Sequence, residues 1–143
     1  MLLGVHPLLT PDLLHALASM GHGDEIVIAD ANFPSASIAR RIVAMPGADA
    51  PRVLEAILTV FPLDAASSPA VFAMQPTGRQ EPLPPPVADF QRVLGANATI
   101  GSLDRFAFYE RARNAFAVVR TGEMRPYGNA ILVKGVVNEY PPK

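Results

Sequence analysis

Amphipathic helices are predicted wherever apolar residues recur every three or four positions along the chain. The clearest begins after Thr10, which is suited to the N-cap, continues with Pro11 at the first helical position, and runs to about Met20. Gly21 is suited to the left-handed position that ends such a helix. The same spacing predicts further helices over residues 34 to 45, residues 50 to 61, residues 87 to 94, and the segment from Phe106 to Ala112 after an Asp104 N-cap.

Strands are predicted where short apolar runs lack the helical spacing. The run Glu25 to Ala31 is continuously apolar between its two acids, which is typical of a central strand covered on both faces. Similar runs predict strands over residues 70 to 74, 99 to 103, 115 to 121 and 130 to 137. Alternating strands and helices in 143 residues predict one α/β domain over residues 1–143. We expect a layered α/β/α sandwich with a mostly parallel or mixed sheet.

A proline-rich stretch interrupts this alternation between Gln75 and Pro86. It contains five prolines, which lack the amide N–H that a helix interior or a central strand requires. We therefore predict an exposed loop here, and not a linker between two domains.

The composition excludes several classes of protein. Hydrophobic residues make up 50% of the chain and charged residues 17%, so a mainly disordered protein is excluded. No apolar run approaches the roughly 20 residues of a membrane span, and the start of the chain does not resemble a signal peptide. The absence of cysteine fits a reducing compartment, and we expect a cytoplasmic location without membrane contact. A small domain with this many apolar residues and so few charges has difficulty covering its surface with polar groups, which favours a homo-oligomer.

Nucleic-acid binding is not expected. The formal net charge is −1, which offers little attraction for a polyanion. Several arginines occur in the second half of the chain, but acids stand among them, which predicts a solvated, salt-bridged face.

Two polar residues flank the first predicted strand. His22 stands between two glycines directly after a helix, where it could act as a general acid or base or simply be a solvated loop residue. Asp30 ends the strand, where open α/β sheets place ligand-binding groups, although it could equally cap the turn that follows. The third glycine of a dinucleotide motif is replaced by Ile26, and His22 with the nearby acids lacks a recognised metal-ligand spacing. We predict neither a metal nor a cofactor.

Two later segments carry groups that recognise hydroxyls. Arg105 lies in the first turn of a predicted helix, where its guanidinium could hold a sugar hydroxyl or a carboxylate. Tyr127, Gly128 and Asn129 predict a turn before the last strand, and this turn would present a phenol and an amide.

Three segments, taken in order, carry a family resemblance. They are Met20–Val27 with Asp30–Pro34, then Arg105–Ala112, then Thr121–Glu123 with Tyr127–Asn129 and Lys134–Val136. Together they resemble the L-fucose mutarotase and D-ribose pyranase family, and its fucose branch more than its ribose branch. The resemblance runs from Pro7 to Gly135 and leaves only the proline-rich stretch unmatched.

The resemblance implies a D-ribose pyranase-like fold and a cofactor-free enzyme that equilibrates the α and β anomers of a free sugar, most closely L-fucose. It implies a ring-like decamer with sites near subunit contacts, although smaller assemblies such as dimers occur in the family. His22 would be the proton donor. The implied substrate-binding residues are Asp30, Arg105, Tyr127, Gly128 and Asn129.

Two alternatives stay open at this point. One is a D-ribose pyranase, which interconverts pyran and furan rings; the run Phe106–Arg111 favours fucose. The other is a non-catalytic sugar-binding or regulatory subunit, which would use the same hydroxyl-binding groups without His22.

The spacing of the two flanking residues raises a geometric question. A straight strand would separate His22 from Asp30 by roughly 25 Å, too far for both to touch one sugar. Either the loop at Gly21 folds back, or one subunit supplies His22 and another supplies Asp30. We favour the shared site.

Overall fold

A computed structural model describes residues 1–76 and 83–141 of the chain. A short 3₁₀ turn, Gly95–Asn97, follows the fourth helix. The helices and strands are α1 (Pro11–Ser19), β1 (Glu25–Ala29), α2 (Ser35–Ile38), β2 (Ile42–Met45), α3 (Ala50–Leu58), β3 (Val71–Met74), α4 (Pro85–Leu94), β4 (Ile100–Leu103), α5 (Arg105–Asn114), β5 (Ala117–Thr121) and β6 (Ala130–Val133).

The strands form one mixed sheet in the order β2-β5-β1-β6-β3-β4. β1 is parallel to β5, β5 to β2, and β3 to β4, whereas β6 is antiparallel to both of its neighbours. The C-terminal ends of β1, β3, β4 and β5 and the N-terminal end of β6 therefore lie at the same edge of the sheet. The opposite edge carries the start of β1 and the end of β6.

Helices cover both faces of the sheet, which confirms the predicted α/β/α layers. Ile26 and Ile28 of β1 belong to the core formed with α1, α3 and α4, and the alternate residues Val27 and Ala29 belong to the core formed with α2 and α5. β1 is thus apolar throughout because both of its faces are buried.

Side-chain caps define where three of the helices begin. The Thr10 hydroxyl accepts a hydrogen bond from the Leu13 amide at 3.3 Å, and the Asp104 carboxylate accepts one from the Ala107 amide at 2.9 Å. Both N-caps were predicted from the sequence. Asp49 caps α3 in the same way. Each cap satisfies one of the amides that a helix start leaves without an intrahelical partner.

One predicted helix is wrong over much of its length. Residues 34 to 45 contain the short helix α2, which ends at Ile38, and then the edge strand β2. Val43 and Met45 are buried while Ile42 and Ala44 are exposed, so this stretch has the two-residue period of a strand. Pairing with β5 supplies the hydrogen bonds that decide between the two structures.

Several boundaries and one turn also differ from the prediction. α4 begins at Pro85, inside the stretch predicted as a loop, because proline is tolerated in the first turn of a helix; residues 77–82 of that stretch lie outside the described residues. β6 ends at Val133, and Lys134 beyond it forms an isolated bridge with Leu63. Gly23, and not Gly21, has the positive φ, at 84°, since Met20 ends α1 in an extended conformation.

Several arginines of the second half of the chain form salt bridges, as predicted. Arg111 pairs with Glu25, Arg113 with Glu110, and Arg125 with Glu123.

None of the helices in residues 1–76 and 83–141 has the length and apolar character needed to cross a membrane.

Candidate functional site

The predicted sugar-binding side chains meet at one edge of the sheet. Asp30 follows β1, Arg105 begins α5 directly after β4, and Tyr127 and Asn129 precede β6. These connections converge because the ends of β1 and β4 and the start of β6 share an edge. All four side chains line one open cleft of about 370 Å³, which suits a monosaccharide.

The floor of this cleft is a buried pair, Asp30 and Asn129, which are 6% and 3% exposed. The Asp30 amide donates to Asn129 Oδ1 at 2.8 Å, and Asn129 Nδ2 donates to Asp30 Oδ2 at 3.0 Å. The Asn32 amide donates to the other carboxylate oxygen of Asp30 at 3.0 Å. Each oxygen keeps further acceptor capacity, so the carboxylate is held in place and can still accept a hydrogen bond from a sugar hydroxyl.

Glu123 supports the turn that presents Tyr127 and Asn129. Its backbone oxygen accepts a hydrogen bond from the Ala31 amide at 2.8 Å, which ties this turn to the end of β1. A Cβ added at Gly128 would lie 2.5 Å from Glu123 Cγ, so only glycine permits this close approach. Tyr127 has a φ of 62°, which is uncommon for a residue other than glycine.

The Glu123 carboxylate is itself held by a guanidinium. Arg125 Nε and Nη2 donate to its two oxygens at 2.9 and 3.0 Å. This contact lowers the pKa of Glu123 against the opposing effect of its burial, and it raises the pKa of Arg125. The carboxylate therefore stays ionised beneath the turn.

Apolar side chains complete the cleft. Phe33 and Tyr109 pack edge to face with ring centroids 5.4 Å apart, and Met74 and Met124 also line the cleft. Met124 is 83% exposed, and Phe106, next to Arg105, is 76% exposed. Apolar surface beside fixed polar groups is the usual composition of a small-molecule site. The large exposed side chains of Met124 and Phe106 also make this face suited to contact with another protein surface.

His22 lies at the opposite edge of the sheet. It stands between the end of α1 and the start of β1, and its side chain is 56% exposed. It lines a groove of about 450 Å³ with mainly apolar residues, among them Leu14, Val60 and Val136. Among the described residues, the groove of His22 and the cleft of Asp30 share no lining side chain. A single chain therefore does not bring His22 to Asp30.

Asp64 is the polar partner of His22, and no motif in the sequence predicts it. His22 Nε2 lies 3.3 Å from Asp64 Oδ1. The Ser67 hydroxyl donates to Asp64 Oδ2 at 2.6 Å and the Ala66 amide to Oδ1 at 3.1 Å. The Ser67 hydrogen bond is the main cause that lowers the pKa of Asp64. The run Asp64–Ser67 does fit an Asx turn, but nothing in its spacing points to His22.

Neither the sequence nor the structure assigns a metal ligand set. Among residues 1–76 and 83–141, no three His, Asp or Glu side chains are grouped so that they could hold a metal ion. The predicted independence of metals and cofactors stays a prediction.

An α/β/α fold with a polar, sugar-sized cleft at one sheet edge is typical of a small α/β protein that binds a small molecule. Comparison with known proteins identifies the family. Residues 3–137 match the model of the RbsD / FucU transport protein family. The chain therefore belongs to this family, as the resemblance of its motifs predicted.

Individual relatives are similar over nearly the whole chain. The fucose mutarotase of Bos taurus is 51% identical, with 94% of this chain and 93% of that protein covered. The crystal structure of the fucose mutarotase in complex with L-fucose from Streptococcus pneumoniae has a TM-score of 0.88 and 39% identity, with 95% and 99% covered. The structure of Bacillus subtilis RbsD complexed with D-ribose has a TM-score of 0.71 and 28% identity, with 92% and 97% covered.

Proposed function

We propose that this protein is an isomerase that interconverts the α and β anomers of free L-fucose without a cofactor. The observation that carries the proposal is the cleft in which Asp30, Arg105, Tyr127 and Asn129 converge. Similar proteins named fucose mutarotases, one of them in complex with L-fucose, support this choice of sugar. D-Ribose is the second candidate, since a more distantly similar structure holds it.

The cleft binds and orients the sugar in this proposal. Asp30 accepts a hydrogen bond from one hydroxyl, and the Arg105 guanidinium and the Tyr127 phenol reach others. Phe33 and Met74 offer apolar surface to the C–H faces of the pyranose ring. Because Asn129 already fixes the Asp30 carboxylate, little reorganisation accompanies binding.

His22 carries the proton transfer. Ring opening breaks the bond between the anomeric carbon and the ring oxygen; the ring oxygen gains a proton from the imidazolium, and the anomeric hydroxyl loses its own to a base, for which the Asp30 carboxylate in the cleft is the candidate. Rotation of the aldehyde and the reverse transfers close the other anomer. A histidine ordinarily titrates near pH 6.5, so it can give and take a proton at neutral pH. With Nε2 directed to Asp64, Nδ1 is the atom that exchanges the proton with the sugar.

The complete site lies between two subunits of a homo-oligomer. His22 and Asp30 belong to opposite sheet edges, so one copy contributes His22 and a neighbouring copy contributes the cleft. The exposed Phe106 and Met124 beside the cleft and the exposed Val136 and Val137 beside His22 support a contact between these two faces. A ring-like decamer of this kind, located in the cytoplasm, is the assembly that we expect.

NMR exchange spectroscopy on equilibrated L-fucose tests the proposed activity. We expect the wild-type protein to accelerate α-to-β exchange, and His22→Ala to lower that acceleration by about 10²- to 10⁴-fold, the usual contribution of a positioned acid or base. His15, an exposed histidine of α1, supplies the matched control, and His15→Ala should keep the full rate.

Three outcomes would contradict the proposal. Faster exchange of D-ribose pyran and furan forms than of L-fucose anomers would favour the ribose alternative. Binding of L-fucose without any exchange would indicate a sugar-binding subunit. Loss of exchange in EDTA would show that a metal takes part.

A further inference from the structure

Lys134 connects the end of β6 with the loop that carries His22. Its ammonium donates to two backbone carbonyls at the end of α1, Leu17 O at 2.8 Å and Met20 O at 2.6 Å. The last carbonyls of a helix have no intrahelical donor and carry the negative end of the helix dipole. A cation placed there satisfies both requirements.

The backbone of Lys134 holds the other side of the same loop. Its carbonyl accepts a hydrogen bond from the Gly23 amide at 2.8 Å, and its amide donates to Asp24 O at 2.9 Å. The contacts at Met20 and Gly23 bracket Gly21 and His22. One residue thus fixes the chain immediately before and immediately after the two residues that set the position of the imidazole.

The neighbours of Lys134 fix Asp64 in the same way. The Asp64 amide donates to Val133 O at 3.0 Å, and Lys134 forms an isolated bridge with Leu63. A Cβ added at Gly135 would lie 2.5 Å from Leu63 O, so the two segments are in close contact. The short segment Val133–Gly135 therefore holds both His22 and its partner Asp64.

We propose that Lys134 is a positioning residue for His22, and that its ammonium holds the end of α1 so that the imidazole stays against Asp64 and in register for proton transfer. This inference rests on the proposed function of His22. Any residue except proline could make the backbone contacts of Lys134, but only a long cationic side chain can reach both carbonyls at the end of α1. The ammonium therefore has a role that the sheet itself does not require.

Lys134→Met tests the inference, because it keeps an apolar stem of similar length and removes the donors. We expect kcat for L-fucose exchange to fall by up to about 100-fold, as displacement of a catalytic group does, with KM unchanged because the cleft lies at the other sheet edge. Hydrogen exchange at the amides of residues 21 to 24 should become faster. Lys134→Arg, which keeps a cation with several donors, should restore most of both properties.

The matched control is Thr10→Ala, which removes the cap at the other end of α1. It weakens the same helix and should leave kcat and the amides of residues 21 to 24 unchanged. An equal loss of kcat in both variants, or full kcat in Lys134→Met, would overturn the inference. The amide measurement needs no sugar, so unchanged protection in Lys134→Met overturns the inference even where the wild-type protein fails to exchange L-fucose, a result that would by itself refute only the proposed function.

Discussion

The two edges of the sheet are built differently. At one edge, Asp30 and Asn129 are almost fully buried and hydrogen-bonded to each other, and Glu123 fixes the turn above them. At the other edge, His22 is largely exposed and contacts the single carboxylate of Asp64. The first edge is a cleft whose polar groups are already held in place, whereas the second presents one imidazole at the surface.

This difference fits two separate tasks in the proposed enzyme. Groups that bind a sugar gain affinity when they are already in place, which requires a buried hydrogen-bond network. A group that exchanges protons must reach a substrate that its own subunit binds elsewhere, which requires exposure. The exposure of His22 in a single chain is therefore compatible with catalysis in a site that a second copy completes.

Mixing two variants, each defective at one edge of the sheet, tests whether His22 and the cleft act in one shared site. His22→Ala and Asp30→Asn should each lower L-fucose exchange at low sugar concentration by about 100-fold or more. Co-assembled in equal amounts, they should recover about one quarter of the wild-type activity, because a shared site then receives an intact His22 and an intact cleft by chance. The exchange rate after joint unfolding and refolding measures this recovery.

A second mixture controls for the statistics. A chain carrying both substitutions, mixed with an equal amount of wild type, should also give about one quarter of the activity for a shared site, but about one half for a site within one chain. No recovery in the first mixture would exclude the shared site. Arg105→Ala, at an exposed residue, can replace Asp30→Asn where folding of the latter is in doubt.

Local sequence signals were sufficient for most of the fold. Thr10 and Asp104 cap helices by contacts within three residues, and the continuous apolar run of β1 follows from burial on both faces. β2 was missed because Ile42–Met45 is only four residues long, which is too short for the spacing of its apolar residues to distinguish a helix from a strand. The hydrogen bonds that decide between them come from β5, far along the chain.

The cleft of the candidate site was predictable from the sequence, but the contact between His22 and Asp64 was not. Asp30, Arg105 and Asn129 stand at strand or helix ends, so the topology of the sheet gathers them. Asp64 lies in a loop 42 residues from His22, and its placement depends on Leu63 meeting Lys134 across the end of the sheet. Such a contact has no periodic signal in the sequence, since it follows from tertiary packing alone.

Two glycine substitutions compare the edges directly. In Gly128→Ala the new Cβ meets Glu123 and displaces the turn of the cleft, so we expect KM for L-fucose to rise with little change in kcat. In Gly135→Ala it meets backbone atoms of Leu63 and Asp64, so we expect kcat to fall with little change in KM. Each change should cost about 1–3 kcal/mol of stability, as overpacking does, measured by urea unfolding.

Comparing Gly128→Ala with Gly135→Ala separates an effect on the site from an effect on stability. Similar losses of stability would leave the kinetic constants as the only difference between the two variants. A rise of KM in Gly135→Ala equal to that in Gly128→Ala would indicate that both edges bind sugar, and would contradict the division of tasks.

The smallest expected effect is a pH-dependent loss of stability when Glu123, which supports the turn of the cleft, is replaced. The contact with Arg125 keeps the pKa of Glu123 below its ordinary value of 4.5, so the ionised carboxylate stabilises the folded chain above that value, and this contribution is lost as the pH falls through the lowered pKa. Glu123→Gln should therefore lower the free energy of unfolding at pH 7 by about 2 kcal/mol, since the hydrogen bonds to Arg125 lose their charge. The difference from wild type should shrink once the pH drops well below 4.5, where the native carboxyl is also neutral. Urea unfolding from pH 7 to pH 3 measures both curves, and a difference that stays constant over this range would show that Glu123 supports the turn by its shape and not by its charge.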